Sequence, residues 1–477
     1  MEVDLASRPQ LPTSEDQKRA EHQGLRSRLL CGRWDQDLER ALSKHISPDR
    51  RTAWGIPEMS RNPFRSLSTQ VGGALYASPP NAKGDAALLA HVERAGFWQL
   101  MQRVSTDLVG LREKPVRADY SERSGVFYRP LEPELCHIRS LPETPDVPTA
   151  IEEIQCRMDP DTGKPCWAWE ILDVEDLDNP RHMILSADRQ KDWTKEFLGK
   201  PASGGDYRYR DILDDGRPFI PVTLYHAERT GRLWDSYYGL EAVLGTLTVG
   251  VLLTFWVHGV KDGSFATVLL VAGKVVGVEI RSPSGERTQV ISAEPGSLIE
   301  IAPMEEGVQP SAVQLAPGFK PQELMEAIGM FEQGLAEYAG VSAADLVRTG
   351  ADPRSGVSLS VSREGLRTAQ ARFEPQLRRG DLEVIANTAR VLNAATGTRH
   401  ATDGYSISYP ALPLSSAETA ALREDLVAKV REGLMSKVDA YMRLHPGIAR
   451  EQAIQELQRI QRENALFPSA SAPLFAA

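Results

Sequence analysis

Apolar residues recur at helical spacing in several long segments. Residues 26–42 carry Leu29, Leu30, Trp34, Leu38 and Leu42 at near-helical intervals. Pro48, Pro57 and Pro63 then interrupt the pattern, and Gly72-Gly73 predicts a loop. Residues 85–108 predict one amphipathic helix through Leu88, Leu89, Val92, Phe97, Leu100 and Val104, stopping near Gly110. The clearest helix is predicted over 323–338. Leu324, Ile328, Phe331, Leu335 and Tyr338 form one seam, and Gly340 stands where a helix ends. A long helix is predicted from about 360 to 395. Pro375 inside it removes a backbone donor, which predicts a kink near 371–375. A capping pattern at 415–418 opens a C-terminal helix with Leu422, Leu426, Val430 and Leu434. A Pro446-Gly447 break and a last helix to about 464 follow.

Other stretches alternate with period two. Strands are predicted at 125–128, 150–156, 166–172 and 182–185, separated by turn signals such as Asp159-Pro160-Asp161-Thr162-Gly163. Residues 218–225, interrupted by proline, predict an extended segment at a sheet edge. Residues 405–409 read as a strand. Four more strands are predicted at 266–272, 274–280, 288–292 and 298–302. Ala272-Gly273 and Pro283-Ser284-Gly285 read as hairpin connections between them. The class is therefore α+β.

Between these regions, residues 233–258 predict an apolar helix, and no charge occurs between Glu241 and Lys261. Its strongly apolar part, 242–256, is 15 residues, or roughly 22 Å of helix, against a hydrocarbon core of roughly 30 Å. Flanking Lys/Arg asymmetry is missing too. A helix buried within the fold or between subunits is expected, not a membrane span.

Composition narrows the function classes. Of the 477 residues, 41% are hydrophobic and 25% charged, which excludes whole-chain disorder. The net charge of −10 excludes a general nucleic-acid coat, which needs excess Lys and Arg. It permits a protein that surrounds DNA without gripping it. Cys31, Cys136, Cys156 and Cys166 form no CxxC pair or common zinc spacing and read as thiols in a reducing cytoplasm. The start Met1-Glu2-Val3-Asp4 is acidic with no apolar run behind it, so no signal peptide is expected. No P-loop, HExxH or GxSxG occurs. Cys136-His137 adjoin, but neighbouring strand side chains point to opposite faces. No enzyme, metal or cofactor is expected.

The order of elements carries a resemblance. An apolar helix leads into a β insertion, an amphipathic helix leads back, and a Gly/Ser loop precedes a long proline-kinked helix. Residues 331–361 read FEQGLAEYAGVSAADLVRTGADPRSGVSLSV. Arg372-Phe373-Glu374-Pro375-Gln376-Leu377 follows. Near the C-terminus stand Gly433-Leu434-Met435-Ser436-Lys437, Leu444-His445-Pro446-Gly447 and Glu451-Gln452-Ala453. In this order, over roughly 85–465, the chain resembles the portal (head–tail connector) proteins of tailed double-stranded DNA bacteriophages.

That resemblance implies a homo-dodecameric ring at one capsid vertex, the channel for genome packaging and ejection. Residues 1–84 would be an N-terminal helical and irregular arm, 85–230 the first part of a wing and 231–260 a stem helix. Residues 261–319 would be a β-containing clip and 320–341 a second stem helix. The rest of the wing, with tunnel loop and kinked helix, would be 342–412, and a helical crown and tail 413–477. Implied partners are further copies of the chain, the terminase large subunit, head–tail adaptor or neck proteins, major capsid and scaffold proteins, and double-stranded DNA, with no membrane. The implied location is the virion, and the host cytoplasm during assembly.

Within this frame Leu324, Ile328, Phe331 and Leu335 are expected to pack on Leu244, Leu252 and Trp256 of the apolar helix, as an intrachain seam or a ring interface. Glu323, Glu326, Glu332 and Glu337 form either a solvated helix face or an acidic channel wall that DNA does not stick to. Arg348, Asp352, Arg354, Ser355 and Gly356 belong to an expected loop over 348–358, either an ordinary surface loop or the tunnel loop. Rival readings are another phage head-completion or minor capsid protein, and a membrane-associated protein anchored by 242–256.

Overall fold

The computed structural model describes residues 8–47, 60–199, 202–228, 231–234, 240–264, 267–271, 273–275, 278–281, 287–290, 301–303, 311–315, 320–338, 356–410, 416–445 and 448–466. The class is α+β.

The N-terminal segment, expected as an arm, packs into the chain's own core. α1 (Ser14–Cys31) starts at Thr13, whose hydroxyl accepts from the Asp16 amide, and ends at Gly32 in the left-handed region. α2 (Asp35–Leu42) buries Leu38 and Leu42. Gly72-Gly73 makes no loop; it lies inside α3 (Pro63–Leu75), with Asn62 as N-cap. The single helix expected over 85–108 is two, α4 (Ala86–Arg94) and α5 (Phe97–Leu111). Gly96 between them adopts φ +69, which ends one helix and starts the next.

β1 (Asn81–Lys83) pairs across the whole sequence with β18 (Ser406–Ser408). β2 (Glu113–Ser121) and β3 (Gly125–Pro130) form a three-stranded sheet with β11 (Val222–His226), which lies at its edge as the proline pattern implied. The second sheet is antiparallel in the order β4 (Cys136–Leu141), β5 (Thr144–Met158), β6 (Pro165–Asp173), β7 (Arg181–Ser186), β8 (Ala202–Ser203); α6 (Thr194–Leu198) lies between β7 and β8, and β9 (Arg210–Asp211) pairs with β10 (Arg217–Pro218). Cys136 is buried, whereas the neighbouring His137 turns its Nδ1 to Asp16 at 2.7 Å.

Two buried polar clusters fasten these layers. In the five-stranded sheet, Glu170 of β6 meets Arg117 at 2.6 Å, Arg157 at 2.6 Å and His182 at 2.9 Å. The cations hold its carboxyl well below the usual carboxylate range despite burial, and burial pushes His182 down. The second cluster holds α9 (Gly356–Thr396), the long helix. Its Asp381, fully buried, accepts hydroxyl bonds from Tyr76 at 2.9 Å, Tyr225 at 2.8 Å and Tyr409 at 2.5 Å. Three distant segments thus converge on one carboxyl. Burial pushes that carboxyl up to about 7, against the pull of the three hydroxyls. Gly380 beside it makes room: a Cβ there would stand 2.4 Å from the Tyr225 ring.

α9 runs unbroken through Pro375. Pro375 and Ala371 are both exposed, so water can serve the carbonyl that the missing donor abandons. α9 also begins at Gly356, so 356–358 are helical where a loop was expected. The C-terminal part is α10 (Ser416–Arg431), α11 (Lys437–Leu444) and α12 (Arg450–Leu466). The Ser436-Lys437 pair of the sequence pattern is an N-cap, with Ser436 Oγ accepting from the Asp439 amide at 3.1 Å. Leu426 is buried here, whereas Leu434 is largely exposed.

Candidate assembly and channel surface

The apolar stretch forms α7 (Leu240–Ser264), and α8 (Pro321–Tyr338) returns beside it. The two run antiparallel. Leu335 meets Gly245 near one end, Ile328 clusters with Val249 and Leu253 in the middle, and Trp256 Nε1 donates to the Pro321 carbonyl at 3.0 Å at the other. That last bond ties α7, two turns before its end, to the first residue of α8.

α7 is long and apolar enough to cross a membrane, with mean hydropathy 1.8 over 240–260. Its glycines and threonines show what it does in this fold. A Cβ on Gly245 would stand 2.6 Å from Leu335 Cδ2, and one on Gly250 2.8 Å from Leu38 Cδ1. These two residues admit α8 on one side and α2, with Trp34 and Leu38, on another. Thr246, Thr248 and Thr254 each donate to the carbonyl four residues back, so no hydroxyl is stranded in apolar surroundings. Thr246 also accepts from the Phe64 amide at 3.1 Å, satisfying one donor in the first turn of α3.

The insertion between α7 and α8 is a nested antiparallel ribbon. β12 (Thr267–Val271) pairs with β17 (Ser311–Leu315), β13 (Gly273–Val275) with β16 (Ile301–Pro303), and β14 (Val278–Arg281) with β15 (Arg287–Val290). Ala272-Gly273 is therefore not a hairpin connection. β12 and β13 succeed each other on one arm of the ribbon, each facing a partner on the returning arm. Pro283-Ser284-Gly285 lies in the link between β14 and β15, outside the described residues.

The expected site residues divide. Leu324, Ile328, Leu335 and Leu252 lie in the helix–helix seam. Phe331 sits at its edge, 45% exposed, and Leu244 is 52% exposed. Met330, which the seam pattern passed over, is 72% exposed. The helix pair thus keeps large apolar side chains uncovered. The side chain of Tyr338 lies outside the described residues.

Three of the four glutamates share a surface. Glu323 pairs with Lys320 at 2.5 Å, Glu326 accepts from Gln322 and Glu337 from Gln333, all exposed. Glu332 does not join them. At about 100° per residue it lies across the helix from Glu326 and Glu337; it is buried, and Arg61 holds it at 3.2 Å. Sequence reasoning missed Arg61, whose pairing partner is 271 positions away. Arg348, Asp352, Arg354 and Ser355 lie outside the described residues; Gly356 opens α9. Among the described residues, no group of His, Cys, Asp and Glu is placed to hold a metal ion.

The chain matches no protein-family model and no curated protein. Among solved structures it is similar to a chain in the virion of a native gene transfer agent particle. The identity is 13% and the TM-score 0.39, over 80% of this chain and 89% of that one.

Proposed function

We propose that this chain is the subunit of a portal ring, a non-enzymatic structural part of a tailed-phage-like particle. One observation carries the reading: an antiparallel helix pair, with apolar side chains uncovered, bears a two-stranded ribbon at its far end. Among the described residues the strands of the insertion pair only with one another, a two-stranded ribbon is marginal in water, and exposed Leu244 and Phe331 gain nothing from solvent. Neighbouring copies in a closed ring would cover both. The helix pair is then the stem, the ribbon the clip, and Glu323, Glu326 and Glu337 an acidic surface past which DNA slides without adhering.

In this reading twelve copies surround double-stranded DNA at one capsid vertex. The clip meets the terminase large subunit and later the head–tail adaptor, and the remaining partners are capsid and scaffold proteins. A second reading, an α7 membrane anchor, has length and hydropathy in its favour. Against it, withdrawing α7 would strip Trp34, Leu38 and Leu42 of their packing partners Val243 and Val251.

The double substitution Leu244→Asp with Phe331→Asp tests the assembly role. Both side chains are exposed in the subunit, so the fold is expected to survive, by an unchanged circular dichroism spectrum. Gel filtration should then show rings lost in favour of monomers. Rings that form as readily as the wild type would remove these residues from the interface.

A further inference from the structure

Away from the helix pair, a cleft of about 500 Å³ opens between the last turn of α4, the turn joining β2 to β3, and the C-terminal end of α9. His91 and Arg94 come from α4, Arg123 and Ser124 from the turn, and Thr398 and His400 from the segment after α9. None of the lining residues is acidic, in a chain of net charge −10. Arg94 and Arg123 are exposed, and neither has an ion-pair partner among the described residues.

The wall is held in place. Asn393 is fully buried, and its amide clamps both backbone groups of His400: Nδ2 donates to the carbonyl at 2.9 Å, and Oδ1 accepts from the amide at 2.8 Å. The Thr398 hydroxyl donates to the same Oδ1 at 3.3 Å. His400 Nδ1 bonds to Asp85 Oδ2 at 2.8 Å, and the His91 ring stands edge-on to it at 6.1 Å.

Cations in a last helical turn offset the negative end of the helix, which gives His91 and Arg94 a local reason to be there. Arg123 has no such reason. It sits on a hairpin turn facing the others; its chain neighbour Glu122 is exposed on the same turn, but no ion pair joins Arg123 to a carboxylate among the described residues. Guanidinium forks match phosphate oxygens in pairs, and Ser and Thr hydroxyls add neutral donors. The cleft is larger than one free anion needs, and its cations are spread over separate elements. We propose that this cleft binds phosphate groups and, resting on the portal reading for the choice of occupant, that it takes the sugar–phosphate backbone of double-stranded DNA.

The test is fluorescence anisotropy of a labelled duplex of about 20 base pairs against the full-length protein, titrated from about 50 to 200 mM salt. Arg94→Ala with Arg123→Ala should weaken binding about tenfold at the low-salt end and reduce the log–log salt slope by about 2. Arg94→Lys with Arg123→Lys should keep most of the slope, which separates lost charge from lost fold. Arg423→Ala with Arg462→Ala removes the same charge from exposed positions on α10 and α12 that have no ion-pair partner among the described residues, and should change little. An equal loss in that control, or wild-type affinity and slope in the Arg94/Arg123 variant, would overturn the site. A duplex that does not bind, while inorganic phosphate raises the melting temperature of the wild type beyond matched chloride and does not raise that of the Arg94/Arg123 alanine variant, would overturn DNA as its occupant. Neither readout depends on whether rings form.

Discussion

Replacing Glu170 with alanine is expected to lower the unfolding free energy by about 3 kcal/mol. Glu170 is buried in the five-stranded sheet and is the shared acceptor for Arg117, Arg157 and His182. Removing it leaves the buried Arg117 guanidinium with Asp119 at 3.0 Å as its remaining carboxylate. That surviving pair places the cost at the lower end of the range for breaking a buried ion pair. Urea unfolding of the wild type and the variant measures it. Because the folded pKa of Glu170 is depressed, its contribution is present above the ordinary glutamate range and is lost as pH falls through the folded value. A variant as stable as the wild type at pH 7 would mean that the cluster contributes nothing net.

The second large effect is a pH dependence of opposite sign, centred on Asp381. Its carboxyl titrates at about 7 in the folded chain, against 3.8 as the ordinary value. Between those values the folded state keeps a proton that the unfolded state has lost. Stability contributed by this group is therefore full below pH 4 and falls as pH rises to about 7, by on the order of 4 kcal/mol. Burial is the cause; the hydroxyls of Tyr76, Tyr225 and Tyr409 reduce the shift without cancelling it. Asp381→Asn cannot titrate. Denaturation midpoints of the wild type and D381N, measured from pH 4 to 8, should diverge, the wild type losing ground as pH rises and the difference levelling off above 7. Parallel curves would show that Asp381 ionises in the folded chain as it does in the unfolded one.

Both clusters were invisible in the sequence, and the reason is physical. Periodicity reports which face of an element is apolar, and it does so from neighbours in the chain. It found the seam of α8 because Leu324, Ile328 and Leu335 lie whole turns apart, one and then two. It found β5, β6 and β11 because their alternation is local. It cannot say which distant element fills the facing side. Asp381 and its three tyrosines come from four separate parts of the sequence. Arg61 and Glu332, like β1 and β18, come from two distant parts.

Two local errors have local causes. One glycine, Gly96, divided a helix whose apolar spacing continued across it, because a single left-handed residue redirects the axis without disturbing the pattern. Ala272-Gly273 resembled a hairpin turn by composition, but β12 and β13 continue along one arm of a ribbon and each finds its partner across it. The acidic surface was legible as charge but not as geometry. Glu332 carries the same charge as its neighbours and lies on the opposite side of the helix, where Arg61 meets it. Gly245 and Gly250 of α7 admit Leu335, Trp34 and Leu38, neighbours that the apolar pattern of that helix does not announce.

The most direct measurement of the portal reading is native mass spectrometry of the purified full-length chain, with negative-stain electron microscopy of the same sample. The expected result is a hollow ring with a mass near that of twelve 52.6 kDa copies, about 630 kDa. A particle that stays at 52.6 kDa at every concentration, with or without a scaffold protein, would contradict it.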